Sequence, residues 1–151
     1  MNTTWIVIAN AARARVVERA ADGSLAELAD FVHPESRMPG RELAADRPGR
    51  GELDLGDQQR GRTAYEPPTD PRQKEHERFA RELSAHLERE VGAGRCRALV
   101  VLASNPFLGE LRAQLGAATN RALQASHASD LTALSLHELR PRIDELLRPG
   151  A

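Results

Sequence analysis

The chain has 151 residues, of which 40% are apolar and only 3% aromatic, so a core of one-domain size has to be aliphatic. Its net charge of −1, from 21 Lys plus Arg against 22 Asp plus Glu, excludes a global pull toward nucleic acid or membrane and leaves only local patches for either. A lone Cys96 excludes an internal disulfide, and no run approaches the ~20 apolar residues of a membrane span.

Thr4 to Ala9, "TWIVIA", is apolar on both faces, which predicts a central strand covered on two sides. Ala14 to Ala20 predicts a second strand, and Leu25 to Val32 a third. Between them Asp22-Gly23 is a hairpin signal, because glycine accepts the positive φ of a tight turn. These three strands are expected to form an antiparallel meander. The N-terminal stretch lacks a leading positive charge, and its apolar run is too short for a signal-peptide core. The expected location is cytoplasmic, with no membrane contact.

Residues 34 to 70 follow as a Pro-, Gly- and Arg-rich stretch with few large apolar residues, including "DRPGRG" at 46 to 51. The stretch is far longer than the ~12–15 residues at which structureless loops become uncommon, so it reads as a functional loop or a partly disordered one. A long helix then begins. Asp70 is its expected N-cap, with Pro71 at the first helical position. Phe79, Leu83, Leu87 and Val91 form its buried stripe, Glu77–Arg81 and Arg78–Glu82 its i,i+4 pairs, and Gly92 and Gly94 its end. Ala98 to Ala103, "ALVVLA", predicts a buried parallel strand. Asn105 is expected to cap the next helix, whose inward residues are Phe107, Leu108, Leu111 and Leu115. Asn120 to His127 is ambiguous, with a position that favours a strand and a propensity that favours helix. Ser135 with Glu138 forms a capping box for a last helix lined by Leu136, Leu139, Ile143 and Leu147.

The expected order is therefore β-β-β-α-β-α-β-α over residues 1–151. That is a single α/β domain with a five-stranded mixed sheet and helices packed on it, in the manner of the ribonuclease H-like folds. A nuclease of that fold needs clustered carboxylates for divalent metals, and "TWIVIAN" and "ALVVLASN" carry none. The five histidines are scattered without zinc spacing, and there is no P-loop, no strand-linked G-x-G-x-x-G and no G-x-S-x-G elbow. No metal or cofactor is expected. Arg95 and Arg97 beside Cys96 are of the kind that lower a thiol pKa, but no histidine is assigned to it as a partner.

What remains is arginine. It supplies 20 of the 21 basic residues, with Lys74 the exception, and its fork suits phosphates and carboxylates. Arg47, Arg50, Arg60 and Arg62 interleave with glycines in the long loop, Arg37 precedes them, and Arg13 and Arg15 lie near the first β-connection. These seven are the candidate phosphate- or nucleic-acid-binding residues. The loop also holds neighbouring acids that its arginines can pair with, and no aromatics alternate with them for base stacking.

"TWIVIANAARARVVE", "HPESRMPGRELAADRPGRG", "DPRQKEHERFARELSAHLE", "NPFLGELR" and "SDLTALSLHELRPRI", in this order, resemble the bacterial host attachment protein family, proteins required for attachment to host cells. That family is in turn distantly similar to the middle domain of archaeal and eukaryotic peptide-chain release factors and of pelota. In release factors a loop ahead of the long helix carries Gly-Gly-Gln. The corresponding text here is "GDQQRG", with Asp57 in place of the second glycine, so peptidyl-tRNA hydrolysis is not carried over. Two readings follow from the residues and the resemblance. One is a non-catalytic binding protein that meets the ribosome, rRNA or tRNA through the Arg/Gly-rich loop. The other is a protein-interaction or homodimeric module that affects attachment indirectly. An enzyme using Asp46, Arg47 and Arg50 on a phosphorylated small molecule stays open beside them.

Overall fold

The computed structural model of the chain describes residues 3–33 and 71–148. The predicted strands form in order. β1 (Thr4–Ala9), β2 (Arg13–Arg19) and β3 (Leu25–Val32) make the antiparallel meander. α1 (Pro71–Gly92) follows, then β4 (Leu99–Ala103), α2 (Phe107–Gln114), α3 (Ala117–Ala122), β5 (Leu123–Ala128) and α4 (Leu136–Leu146). The five strands form an open mixed sheet in the order β3-β2-β1-β4-β5, with β4 parallel to both β1 and β5.

The central strands read as unbroken apolar runs because both of their faces are covered. Trp5, Val7 and Ala9 of β1 join Leu99, Val101 and Ala103 of β4 in one cluster with Phe79, Leu83 and Leu87 of α1 and Phe107 and Leu111 of α2. The alternate residues Ile6, Ile8, Val100 and Leu102 join Leu139 and Ile143 of α4 in a second cluster on the other face. So α1 to α3 cover one face and α4 the other. β3 is an edge strand, its register with β2 shifts between Val16 and Val17, and Leu28 and Val32 are its exposed large apolar residues. A bulge at an edge discourages open-ended strand pairing.

Turn and cap chemistry matches the sequence at several joints. Gly23 has φ +89° in the β2–β3 hairpin, where its N–H donates to Ala20 O at 2.9 Å. Gly94 has φ +82° and closes α1, with Gly94 N–H donating to Val91 O and Arg95 N–H to Glu90 O, both at 3.0 Å. The Ser135–Glu138 capping box of α4 is complete in both directions. Elsewhere the structure corrects the expectation. Asn105 does not cap α2: Pro106 is the N-cap residue, makes no side-chain cap bond, and leaves Asn105 one position outside. Arg78 bonds Glu75 one turn back at 3.2 Å rather than Glu82. The ambiguous 120–127 stretch is both things in succession, the end of the extra short helix α3 and then β5. Asp70, the expected cap of α1, lies outside the described residues. Among those residues no helix is long and apolar enough to cross a membrane.

Candidate functional site

In an open sheet the ends of parallel strands, where the chain changes direction, are natural places for polar groups to gather. Here β1, β4 and β5 end side by side, and the turn after β1 is organised by Asn10. Its Oδ1 accepts from the N–H groups of Ala12 (2.8 Å) and Arg13 (2.9 Å), shaping the tight passage into β2. Its Nδ2 donates to Asp130 Oδ2 at 3.0 Å and Thr132 Oγ1 at 3.1 Å, in the connection between β5 and α4. Asp130 accepts in turn from the N–H and hydroxyl of Thr132, at 3.1 and 2.7 Å. Burial pushes the Asp130 carboxyl up, but the bonds from Thr132 and Asn10 outweigh it and hold the group below the usual range.

Arg13 and Arg15 close the same corner. Arg13 forks onto Asp30, at 3.1 and 2.7 Å, and its Nη1 reaches Thr132 O at 3.3 Å. This pairing holds the Asp30 carboxyl below its ordinary value. Arg15 is only 5% exposed. It forks onto Glu27 at 3.1 and 3.2 Å and donates through Nη1 to the carbonyls of Thr132 and Leu134. Both arginines thus staple β2 to β3 and to the strap 130–134, and a phosphate reaches Arg15 only by displacing those partners. The other candidates, Arg37, Arg47, Arg50, Arg60 and Arg62, lie outside the described residues, as do Asp46 and the "GDQQRG" stretch.

The same end of the sheet holds the residue that precedes segment 34–70. His33, the last residue before it, donates its backbone N–H to Ala12 O at 2.7 Å. Its Nε2 lies 3.0 Å from Glu75 Oε1 in the second turn of α1, and its ring stacks on Phe79 with centroids 5.2 Å apart. Glu75 is buried and also accepts from Arg78. Phe79 in turn stacks on Phe107 at 5.6 Å, which ties this joint to the core.

Chemically the corner is a set of satisfied or paired polar groups. Among the described residues no group of three His, Cys, Asp or Glu stands close enough to hold a metal ion. Cys96 is buried, and burial pushes its thiol up to about 11. The neighbouring arginines do not lower it, because Arg95 is committed to Glu90 at 2.9 and 3.1 Å and Arg97 is exposed. Sequence reasoning missed Asn10, Glu27, Asp30, Glu75, Asp130 and Thr132. Of these only Asp130-Leu131-Thr132 carries a local signal, an Asp whose side chain caps the residue two positions on.

A family model described as "Protein required for attachment to host cells" matches residues 5–143. The chain belongs to this family. The match to the host-attachment family takes in the whole sheet, all four helices up to Ile143, and segment 34–70. No curated protein matches the chain. Solved structures do, among them one described as "Archaeal protein", at 12% identity with a TM-score of 0.46. The alignment covers 93% of this chain and 34% of that one, so the chain spans about a third of that protein's length. The resemblance to release factors draws no support from this likeness.

Proposed function

We propose that this host-attachment family member acts in attachment to host cells as a non-catalytic binding protein. In this reading Arg37, Arg47, Arg50, Arg60 and Arg62 engage a polyanionic partner, ribosomal RNA or tRNA. The observation that carries it is the joint at His33 and Glu75. His33, the residue before segment 34–70, is bonded at a corner of the sheet to Glu75 in the second turn of the helix that follows the segment, while the five strands and two core clusters are supplied by residues 4–32 and 79–147. Arg13 and Arg15 border that corner. Their guanidiniums hold the scaffold, so the phosphate-binding work falls mainly on the five arginines of the segment. The strand order and pairing also favour the ribonuclease H-like group of folds, to which we assign the chain.

Sedimentation with ribosomes tests this. Wild-type protein is expected to co-migrate at low salt, with binding that falls steeply as salt rises, because each phosphate contact releases counterions. Arg47→Ala/Arg50→Ala should release it from the ribosome without altering its circular dichroism, and should fail to restore attachment in a strain lacking the protein. Absence of co-migration from both growing and starved cells removes the RNA reading. One observation favours the protein-interaction reading instead: the edge strand β3 leaves Leu28 44% and Val32 56% exposed beside a groove formed with α1 by Phe31, Phe79, Leu83 and His86. Under that reading light scattering gives a dimer, and Val32→Glu converts it to monomer.

A further inference from the structure

At the opposite end of the sheet the C-terminus of α1, the 93–97 connection and α3 border an open surface cavity of about 380 Å3. Val91, Cys96, Ala118 and Ala122 give it an apolar wall, and Arg97 and Arg121 stand at its margin. We infer that this cavity is a binding site for an organic anion, a phosphate or carboxylate carried on a small apolar body. The inference draws nothing from segment 34–70.

Several independent features point there. The volume leaves room for a small ligand with one side in solvent. Both guanidiniums are exposed, and neither makes an ion pair or hydrogen bond among the described residues. Their surroundings explain this. Glu90 is taken by Arg95. Glu88, whose carboxyl lies in the field of Arg121, spends Oε2 on the N–H of Ala118 and Oε1 on the N–H and hydroxyl of Thr119. Among the described residues the site therefore keeps two guanidinium forks with no carboxylate in hydrogen-bond contact, groups of the kind that suit phosphate and carboxylate. Arg97 also lines a neighbouring cavity of about 250 Å3 with Thr3, Gly94 and Arg95.

Gly92, the last residue of α1, lines the site, and a Cβ there would meet nothing within 4 Å, so a larger side chain can be placed at that margin without a clash. Cys96 adds no competing charge, since its thiol stays protonated at neutral pH.

The test is a titration of the 15N-labelled full chain with phenyl phosphate, followed by amide shifts. Saturable shifts are expected at residues 91–97 and 117–122. Arg97→Gln/Arg121→Gln should weaken binding by roughly tenfold or more. Gly92→Leu should do the same while leaving the thermal midpoint equal to or above wild type, which separates occlusion from misfolding. Inorganic phosphate should bind at least about tenfold more weakly than phenyl phosphate, because it lacks the apolar body. Flotation with phosphatidylglycerol vesicles, against phosphatidylcholine, identifies the source of the anion. Retention on the former that is lost in the arginine double variant assigns a lipid headgroup, and phenyl phosphate binding without retention assigns a soluble ligand. Absence of saturable shifts, or binding unchanged in both variants, overturns the site.

Discussion

Replacing Arg15 by Met removes the guanidinium and keeps most of the aliphatic length in a position only 5% exposed. Two kinds of contact are lost, and they differ in worth. Glu27 has about a third of its side chain in solvent, 32%, so water replaces most of what the fork gave it, and this pair counts on the scale of exposed ion pairs, roughly 0–1 kcal/mol. The Leu134 carbonyl is left without its donor, which costs about 1–2 kcal/mol, whereas the Thr132 carbonyl keeps the Arg13 guanidinium at 3.3 Å and loses less. The expected total is about 2 kcal/mol. With a urea m-value of ~2 kcal/mol/M for a chain of this size, the midpoint should fall by ~1 M. Glu27→Gln, measured alongside, should lose less than about 1 kcal/mol. The asymmetry between the two variants matters more than either number. If Arg15→Met moves the midpoint by less than ~0.3 M, or Glu27→Gln costs as much as Arg15→Met, the carbonyls are not what Arg15 satisfies. It would then be better described as an ion-pairing surface residue, with its phosphate-binding candidacy restored.

Three further outcomes follow from the packing and the titrating groups. Gly116 sits where an added Cβ would come within 2.5 Å of the Glu88 carboxyl, which caps α3 in place of any local side chain. Gly116→Ala and Glu88→Ala should therefore each lower the thermal midpoint yet be strongly non-additive, with the second change nearly silent in the background of the first. His86 is edge-on to Phe31 at 4.9 Å; burial there depresses its imidazole pKa, helped by Arg89 and opposed by Glu90. The folded state binds this proton less readily than the unfolded chain, so the contribution of His86 is complete above about pH 6.5 and is lost as pH falls through its lower folded value. His86→Gln should flatten the slope of stability against pH just below about 6.5, read by chemical denaturation at a series of pH values. Leu139, fully buried under the sheet, should cost about 3 kcal/mol as Leu139→Ala in the same assay, whereas the partly buried Leu136→Ala should cost about half of that or less.

The scaffold was legible where covalent spacing and burial coincide. "LVVLA" is apolar at every position and "TWIVIA" at every position after Thr4, and a strand covered on both sides suits that pattern, so their central places in the sheet follow directly. β3 alternates from Leu28 to Val32, with Leu28, Asp30 and Val32 exposed, and the alternation breaks at Ala26–Glu27–Leu28, where the register with β2 shifts. The 120–127 stretch defeated a one-state reading for a physical reason: the helix ends at Ala122 and the strand begins at Leu123 with no intervening turn residue, so no glycine or proline marks the change. Asn105 misled because an N-cap signal specifies a residue type and not a register, and the helix starts one residue later than the signal implies.

The corner at Asn10 was legible only in part, because its bonds join residues more than a hundred positions apart, such as Asn10 with Asp130 and Arg15 with Thr132. Yet the fate of the strand arginines was written in their parity. Arg15 shares its face of β2 with the fully buried Val17 and sits further from the strand ends than Arg13 and Arg19, which stay partly exposed, so its guanidinium is buried and needs acceptors there. Glu27 and the 130–134 strap supply them. Arg97 and Arg121 obey no such constraint, because they sit in a connection and at the end of a short helix, beside carboxylates already spent on other donors. Arginine abundance alone therefore says little about binding in this chain. What decides whether a given guanidinium holds the fold or meets a ligand is the face it points from and whether its neighbouring acids are already engaged.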